Sequence, residues 1–181
     1  MVDRFAEKAI SAQFPYEPIL YISCGVPGSG KTTFLKNHKR NEEIIVSRDD
    51  IRFSLLQDGE AYFCHEDDVF NIFVDKIIEG LKAGKNVYAD ATHLNRASRS
   101  RLIRTINNRE PGLLKRVEGI FFNIPVAVCL KRNEQRKGTK TYVPESVIRN
   151  MTKKLEIIDK NTEKIKHCYI IDVNGNILKS F

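Results

Sequence analysis

The sequence has no tryptophan, only two methionines and only four cysteines among 181 residues. No two cysteines have the Cys-x-x-Cys spacing of zinc or redox sites, so reduced thiols are expected rather than a disulfide framework. No apolar run approaches the ~20 residues of a membrane-spanning helix. Residues 1–14 also lack the uninterrupted apolar core of a signal peptide. We therefore expect a cytoplasmic protein with no membrane partner.

Length and charge set further bounds. With 41% hydrophobic residues, a chain of this length can bury its core as one domain over residues 1–181. Its formal net charge of +7 is compatible with a polyanionic partner such as a nucleic acid. A basic balance alone identifies no partner, however, because moderately basic proteins are common.

One glycine-rich stretch carries the clearest chemical pattern. It consists of Gly25, Val26, Pro27, Gly28, Ser29, Gly30, Lys31 and Thr32, followed by Thr33. It fits the P-loop pattern G-x-x-x-x-G-K-[ST] at every position, after a predicted strand at residues 19–23 and before a predicted helix. Backbone N–H groups in such a loop bind polyphosphate at a helix N-terminus. We predict that these residues bind ATP, with Lys31 on the β- and γ-phosphates and Thr32 in a Mg²⁺ shell.

Strand and helix patterns alternate along the rest of the chain. Besides the first strand, strands are predicted over residues 42–47, 86–89, 117–124 and 169–173. The alternation predicts an α/β fold of the P-loop NTPase type, with a mainly parallel sheet covered by helices on both faces. Ligands of such sheets bind beyond the carboxyl ends of the strands. The P-loop, Asp49 and Asp90 all follow predicted strands, so we expect them to share one cleft.

Four other segments are assigned from their patterns. Residues 1–18 are an N-terminal extension with a short surface helix, and residues 169–181 form a hairpin with a tight Asn-Gly turn. Pro144 opens a helix whose apolar face continues to Ile158. The basic residues 131–140 are predicted to be a mobile connection.

Asp49 and Arg52 have the i, i+3 spacing that places two side chains on one face of a helix's first turn. A carboxylate there can accept the proton of an attacking hydroxyl, and an adjacent arginine can bind a substrate phosphate. Helix capping by Asp49 or Asp50 is the alternative, because acidic residues are common at helix starts. The position after the second strand of a P-loop protein favours the chemical role for Asp49, with Asp50 kept as a cap.

Asp90 ends a predicted strand, where P-loop enzymes carry a metal-binding acid. The pattern predicts that Asp90 holds Mg²⁺ through water or positions other groups, with Thr32 as the other metal contact. A polar cap for the next segment is the alternative, and Thr92 and Asn95 would also suit that role.

Four ordered motifs, GVPGSGKTT, SRDDIR, ADATHLN and LKRNEQRKGTKTYVPESVIRNM, resemble those of phage-type 5′-hydroxyl polynucleotide kinases. The resemblance covers residues 19–154. It implies a kinase that transfers the ATP γ-phosphate to the 5′-hydroxyl of DNA or RNA. In that reading Asp49 is the general base, and Arg52 contacts the phosphate next to the acceptor hydroxyl. The D-x-D-G-[TV] phosphatase motif is absent, so no phosphatase activity is expected from this chain.

The same resemblance implies an arginine-bearing lid over residues 131–143. Arg132 and Arg136 are four residues apart near a predicted helix end and therefore face the same way. As lid arginines they would neutralise charge on the transferred phosphate, with Arg136 the better candidate and Arg132 the second. As solvated surface charges they would need no function. Lys137 interrupts the R-G-T-K pattern of the family.

Other basic and aromatic residues admit several roles. Tyr62 and Phe63 lie in a polar connection where a base could stack. The helix predicted over residues 95–108 is rich in arginine, and most of these side chains are expected at the surface, some of them on a nucleic-acid backbone. They are Arg96, Arg99, Arg101, Arg104 and Arg109.

Two other classes of function compete with a polynucleotide kinase. A kinase of a small hydroxylated metabolite or nucleoside would use the same fold with a closed acceptor pocket. A regulatory ATPase would hydrolyse ATP without a transfer acceptor. The RDDxR and RKGTK segments favour a nucleic-acid acceptor, and a carboxylate placed as a base favours transfer over hydrolysis.

Overall fold

The computed structural model describes residues 17–181, and six β-strands form its single sheet. The strands are β1 Ile19–Cys24, β2 Ile44–Ser47, β3 Val87–Asp90, β4 Arg116–Phe122, β5 His167–Ile171 and β6 Ile177–Ser180. Their order across the sheet is β2-β3-β1-β4-β5-β6. Strands β1 to β5 pair in parallel, and β6 pairs antiparallel to β5.

Six α-helices occur among the described residues. They are α1 Lys31–His38, α2 Arg48–Leu55, α3 Glu66–Lys82, α4 Arg96–Arg109, α5 Val126–Glu134 and α6 Glu145–Lys153. The predicted α/β fold with a mainly parallel sheet is therefore confirmed. None of these helices is long and apolar enough to cross a membrane.

The central strand β1 is buried on both faces, which explains its nearly continuous apolar sequence. Leu20 and Ile22 face a core cluster shared with helices α3 and α4. Ile19 and Tyr21 face the opposite cluster, which includes Phe34 of α1. Since successive side chains of a strand alternate between faces, β1 needs apolar residues at both sets of positions.

Three predicted segments differ clearly from the structure, and one or both ends of each of the strands β1 to β5 also differ from the prediction by one or two residues. Helix α5 continues to Glu134, into the segment predicted to be a mobile connection. Helix α6 ends at Lys153, yet Ile158 is still buried because it packs from a loop on Gly119, where an added Cβ would lie 2.4 Å from Ile158 Cδ1. The hairpin is connected by residues 172–176 rather than by a tight two-residue turn.

The hairpin connection is longer because a side chain organises it. The Asp172 carboxylate accepts hydrogen bonds from the backbone N–H groups of Asn174 and Asn176. The predicted N-terminal extension and its surface helix lie outside the described residues, apart from Glu17 and Pro18.

Four of the five arginines of α4 are exposed, as predicted, and Arg99 is the exception. Its side chain is fully buried and forms a two-pronged ion pair with Glu163, with contacts of 2.6 and 2.8 Å. It also donates hydrogen bonds to the carbonyls of His93 and Glu156. The pair therefore ties the loop after β3 and the start of α4 to the segment before β5.

We expect Glu163→Gln to cost about 3–5 kcal/mol of unfolding free energy, because it leaves the Arg99 charge buried without a counter-charge. Urea unfolding followed by circular dichroism measures this. Arg104→Gln is the matched control, because it removes an exposed arginine of the same helix and should change stability by less than about 0.5 kcal/mol. A cost below about 1 kcal/mol for Glu163→Gln would show that the pair contributes little.

Candidate active site

The P-loop follows β1 and has the backbone of a phosphate-binding turn. Gly28 and Gly30 have φ angles of 79° and 93°, which side-chain-bearing residues rarely adopt. A Cβ on Gly28 would lie 2.3 Å from the carbonyl oxygen of Cys129, so the close approach of α5 also requires glycine there. Gly30 is the N-cap of α1, so the loop carries the N-terminal end of that helix dipole.

Lys31 lies folded against this loop. Its Nζ atom donates hydrogen bonds to the Val26 carbonyl at 2.9 Å and to Ser29 Oγ at 3.3 Å. Burial lowers the pKa of Lys31, and the negative charges of Asp90 and then Asp49 oppose that shift. Both carboxylates therefore lie within electrostatic reach of the P-loop lysine.

Thr32 and Asp90 meet at the adjacent strand end, as the metal-site prediction requires. The Thr32 hydroxyl donates a 2.6 Å hydrogen bond to Asp90 Oδ2, and Asp90 is buried. Burial raises the pKa of Asp90, while the Thr32 hydrogen bond and the charge of Lys31 oppose the rise. A hydroxyl and a carboxylate side by side are the oxygen ligands that suit Mg²⁺.

Helix α2 is capped by Ser47, not by an aspartate. Ser47 Oγ accepts the backbone N–H of Asp50, and Ser47 has the extended backbone of an N-cap residue. The prediction that Asp50 is the cap is therefore wrong. Because the serine fills that role, the side chain of Asp49 is not needed to cap the helix.

Asp49 instead belongs to a polar cluster. Its Oδ1 atom accepts hydrogen bonds from Arg52 Nη1 at 2.5 Å and from the Tyr62 hydroxyl at 3.0 Å. Arg52 is buried and also pairs with Glu66 Oε1 at 2.6 Å, while the Asp49 side chain is 66% exposed. Two fixed donors on Oδ1 leave Oδ2 of an exposed carboxylate for another partner.

Tyr62 stays a donor in this cluster. Burial and then the nearby Asp49 charge raise its pKa to about 12. The Arg52 guanidinium lies over the ring, 4.5 Å from its centroid. The sequence predicted a stacking role for Tyr62 but not its polar contacts, and it did not point to Glu66. These two residues lie 13 and 17 positions after Asp49, and no local sequence spacing links residues that far apart.

The two candidate lid arginines have different surroundings. Arg132 lies on α5 and donates hydrogen bonds to the Ser29 carbonyl at 3.4 Å and to the Val173 carbonyl at 2.8 Å. Its Nη1 atom is 3.3 Å from the position of an added Cβ on Gly30. Arg136 follows the end of α5 and is half-buried, and its side chain has no hydrogen bond or ion pair with the P-loop within residues 17–181. The structure thus brings Arg132, the second candidate, to the phosphate loop.

The family described as AAA domain matches residues 20–158. This chain belongs to that family. The chain is 25% identical to a viral relative, the putative bifunctional polynucleotide kinase/RNA ligase of Autographa californica nuclear polyhedrosis virus. The match covers 93% of this chain but 26% of the relative, so the chain spans about a quarter of that protein's length.

Solved structures place the AAA domain among P-loop kinases. A chain in the Pnkp1/Rnl/Hen1 RNA repair complex superposes with a TM-score of 0.63 and 26% identity, over 80% of this chain and 46% of that one. An unliganded sugar kinase from Janibacter sp. HTCC2649 superposes with a TM-score of 0.62 and 17% identity, over 88% and 87%. The second likeness shows the fold alone. Our AAA domain thus has a P-loop kinase fold, the fold of a nucleotide-binding phosphotransferase.

We expect Asp90→Asn to lose activity without losing stability. Its folded-state pKa is raised above the unfolded value near 3.9, so ionised Asp90 costs stability at neutral pH. The variant should melt above the wild type at pH 7, and the difference should vanish below about pH 4. Phosphoryl transfer should fall roughly 10–100-fold. A melting temperature below that of wild type at pH 7 would contradict this account of the buried carboxylate.

Proposed function

We propose that the chain is a cytoplasmic kinase that transfers the γ-phosphate of ATP to the 5′-hydroxyl end of RNA or DNA. The observation that carries the proposal is the Asp49 carboxylate. It is exposed, has one oxygen fixed by Arg52 and Tyr62, and lies within electrostatic reach of Lys31. The similarity to a viral polynucleotide kinase/RNA ligase and to a chain of an RNA repair complex supports a nucleic-acid acceptor.

The P-loop residues would hold the ATP phosphates through backbone N–H groups and the N-terminus of α1. Lys31 would exchange its contacts with Val26 and Ser29 for the β- and γ-phosphates. Thr32 and Asp90 would hold Mg²⁺, which supplies charge neutralisation at the phosphates when bound. The remaining P-loop contacts are assigned to Gly25, Val26, Pro27, Gly28, Ser29, Gly30 and Thr33.

Asp49 would act as the general base. Its free Oδ2 atom accepts the proton of the acceptor hydroxyl as that oxygen attacks the γ-phosphate, and the bond to the β-phosphate oxygen breaks to release ADP. Arg52 and Tyr62 hold the carboxylate in one orientation, because each donates a hydrogen bond to Oδ1. A base held in one orientation loses less entropy when the acceptor arrives.

Arg52 would have a second role on the acceptor side. Following the resemblance to polynucleotide kinases, it contacts the phosphate next to the acceptor hydroxyl. Four of its five N–H groups contact Glu66, Asp49 and Tyr62, so the remaining N–H of Nη2 would bind that phosphate while Asp49 stays oriented. A nucleoside without this phosphate would then be a poor acceptor.

Arg132 and Arg136 would neutralise charge on the transferred phosphate. Arg132 already contacts the P-loop at Ser29. Arg136 lies just past the end of α5, in the basic segment 131–143, so in this proposal it reaches the phosphate when that segment closes.

We expect Asp49→Asn to lower the transfer rate by roughly 10²–10⁴, because the amide cannot accept the hydroxyl proton. ATP affinity should change little, and the cost in stability should be at most about 1 kcal/mol because Ser47 caps the helix. Single-turnover assays with γ-labelled ATP and thermal melts on the same preparations measure both quantities. Asp50→Asn, one residue along the helix and turned by about 100°, is the matched control. Loss of transfer in Asp50→Asn alone would move the base by one residue.

The acceptor-side role of Arg52 predicts a change in selectivity. The wild type should use a 3′-nucleotide at least about tenfold better than the matching nucleoside. In Arg52→Ala this ratio of kcat/KM values should approach one, while ATP affinity is retained. Damage to the orientation of Asp49 affects both acceptors equally and cancels in the ratio. An unchanged ratio would remove Arg52 from phosphate binding, and equal use of both acceptors by the wild type would favour a metabolite kinase.

A further inference from the structure

A polar groove opens beside the polar cluster of Asp49, Arg52, Tyr62 and Glu66. Its volume is about 320 Å³, and it lies between the start of α2 and the start of α4. It is lined by the first residue of α2, by the loop between β3 and α4, and by the first two turns of α4. Among the lining residues are Arg48, Thr92, Leu94, Asn95, Ser98 and Arg101.

Two arginines meet in this groove over one aromatic ring. The Arg101 guanidinium carbon lies 4.1 Å from the ring centroid of Phe70, and that of Arg48 lies 5.7 Å from it. Phe70 is buried, so it provides a fixed base for both side chains. A guanidinium stacked by its face keeps its N–H groups directed sideways, where they can bind an anion.

The positive charge in the groove is only partly balanced. Arg48 pairs with Glu66 at 2.8 Å, but its Nε atom is buried without a hydrogen-bond partner. Arg101 is exposed and has no ion pair or side-chain hydrogen bond within residues 17–181. Burial lowers the pKa of Arg48, and the negative charge of Glu66 opposes that shift. The positive charges of Arg52 and Arg101 lower the pKa further. An anion bound here would satisfy donors that the folded chain leaves open.

A continuous set of contacts joins this groove to Asp49. Arg52 bonds both Asp49 and Glu66 Oε1, and Glu66 Oε2 accepts a hydrogen bond from Arg48. Phe70, one turn further along α3, then supports Arg48 and Arg101. The guanidiniums of Arg52, Arg48 and Arg101 thus form a connected row that starts at the proposed base.

We propose that the Arg48–Arg101 groove binds a backbone phosphate of the acceptor chain beyond the first one. The inference rests on the proposed function. It makes the preferred substrate an oligonucleotide rather than a mononucleotide, because only a longer chain carries a phosphate that reaches the groove. Phosphates bound by arginines set the position and affinity of a strand without reading its bases, so the groove should not select a sequence.

The test compares acceptors of different length with Arg101→Gln. The acceptors are a 3′-nucleotide, which ends at the first phosphate, and a 5′-hydroxyl decanucleotide. Arg101→Gln should lower kcat/KM about tenfold for the decanucleotide, as expected for a lost charge-assisted hydrogen bond, and should leave the 3′-nucleotide unchanged. The slope of log(kcat/KM) against log[salt] for the decanucleotide should decrease in magnitude by about 0.7.

Two further variants make the result specific. Arg104→Gln removes the same charge from an exposed position one turn along α4, and it should leave both acceptors within about twofold of wild type. Arg101→Lys keeps the charge and loses the planar fork, so it should recover most of the decanucleotide activity. Thermal melts of all variants check that the fold is intact.

Equal effects of Arg101→Gln on both acceptors, or an effect on the decanucleotide no larger than that of Arg104→Gln, would overturn the groove proposal while the kinase proposal stands. A wild-type protein that phosphorylates neither acceptor would overturn the proposed function, and the groove proposal with it. A loss confined to the decanucleotide supports both.

Discussion

The parallel pairing of β1 with β3 on one side and β4 on the other is the constraint on which the rest of the structure depends. It places the P-loop at the middle of the sheet's carboxyl edge, directly beside the end of β3. Because β2 is parallel to β3, helix α2, which follows β2 directly, begins at the same edge of the sheet. Three sequence segments far apart along the chain are thereby brought to one cleft, as expected for parallel α/β sheets.

The carboxylates of Asp49 and Asp90 have different surroundings in the cleft. Asp90 is buried, and its Oδ2 atom accepts a hydrogen bond from the hydroxyl of Thr32, next to the P-loop lysine. Asp49 is exposed, and its donors lie on one oxygen only. A buried, hydrogen-bonded carboxylate suits a fixed metal contact, whereas an exposed one with a free oxygen suits proton transfer to an incoming hydroxyl. In the proposed mechanism the same residue type would serve two roles because the surroundings of the two side chains differ.

Local patterns in the sequence predict the parts of the site that lie within short segments. The P-loop, the Asp49–Arg52 spacing and the strand-end position of Asp90 could all be recognised, because each depends on neighbours within a few residues. The capping role of Ser47 was missed, since aspartate and serine are both good N-caps and only the backbone geometry distinguishes them.

Long-range contacts could not be read from the sequence. The pairing of Arg99 with Glu163 spans 64 positions and turns an arginine of a charged helix into a core residue. The contacts of Tyr62 and Glu66 with Arg52 depend on how α2 packs on α3. Similarly, Ile158 is buried although α6 ends before it. The apolar pattern indicates which residues are buried and does not indicate where the helix ends.

The most direct measurement of the central claim is an acceptor panel with γ-labelled ATP and Mg²⁺. The panel contains one oligonucleotide with a 5′-hydroxyl, the same oligonucleotide with a 5′-phosphate, and simple sugars and nucleosides. A 5′-hydroxyl kinase should label the 5′-hydroxyl oligonucleotide at its 5′ end and should leave the 5′-phosphate oligonucleotide unlabelled. Labelling of sugars or nucleosides with no labelling of the 5′-hydroxyl oligonucleotide, or ATP hydrolysis with no labelled acceptor, would contradict the account.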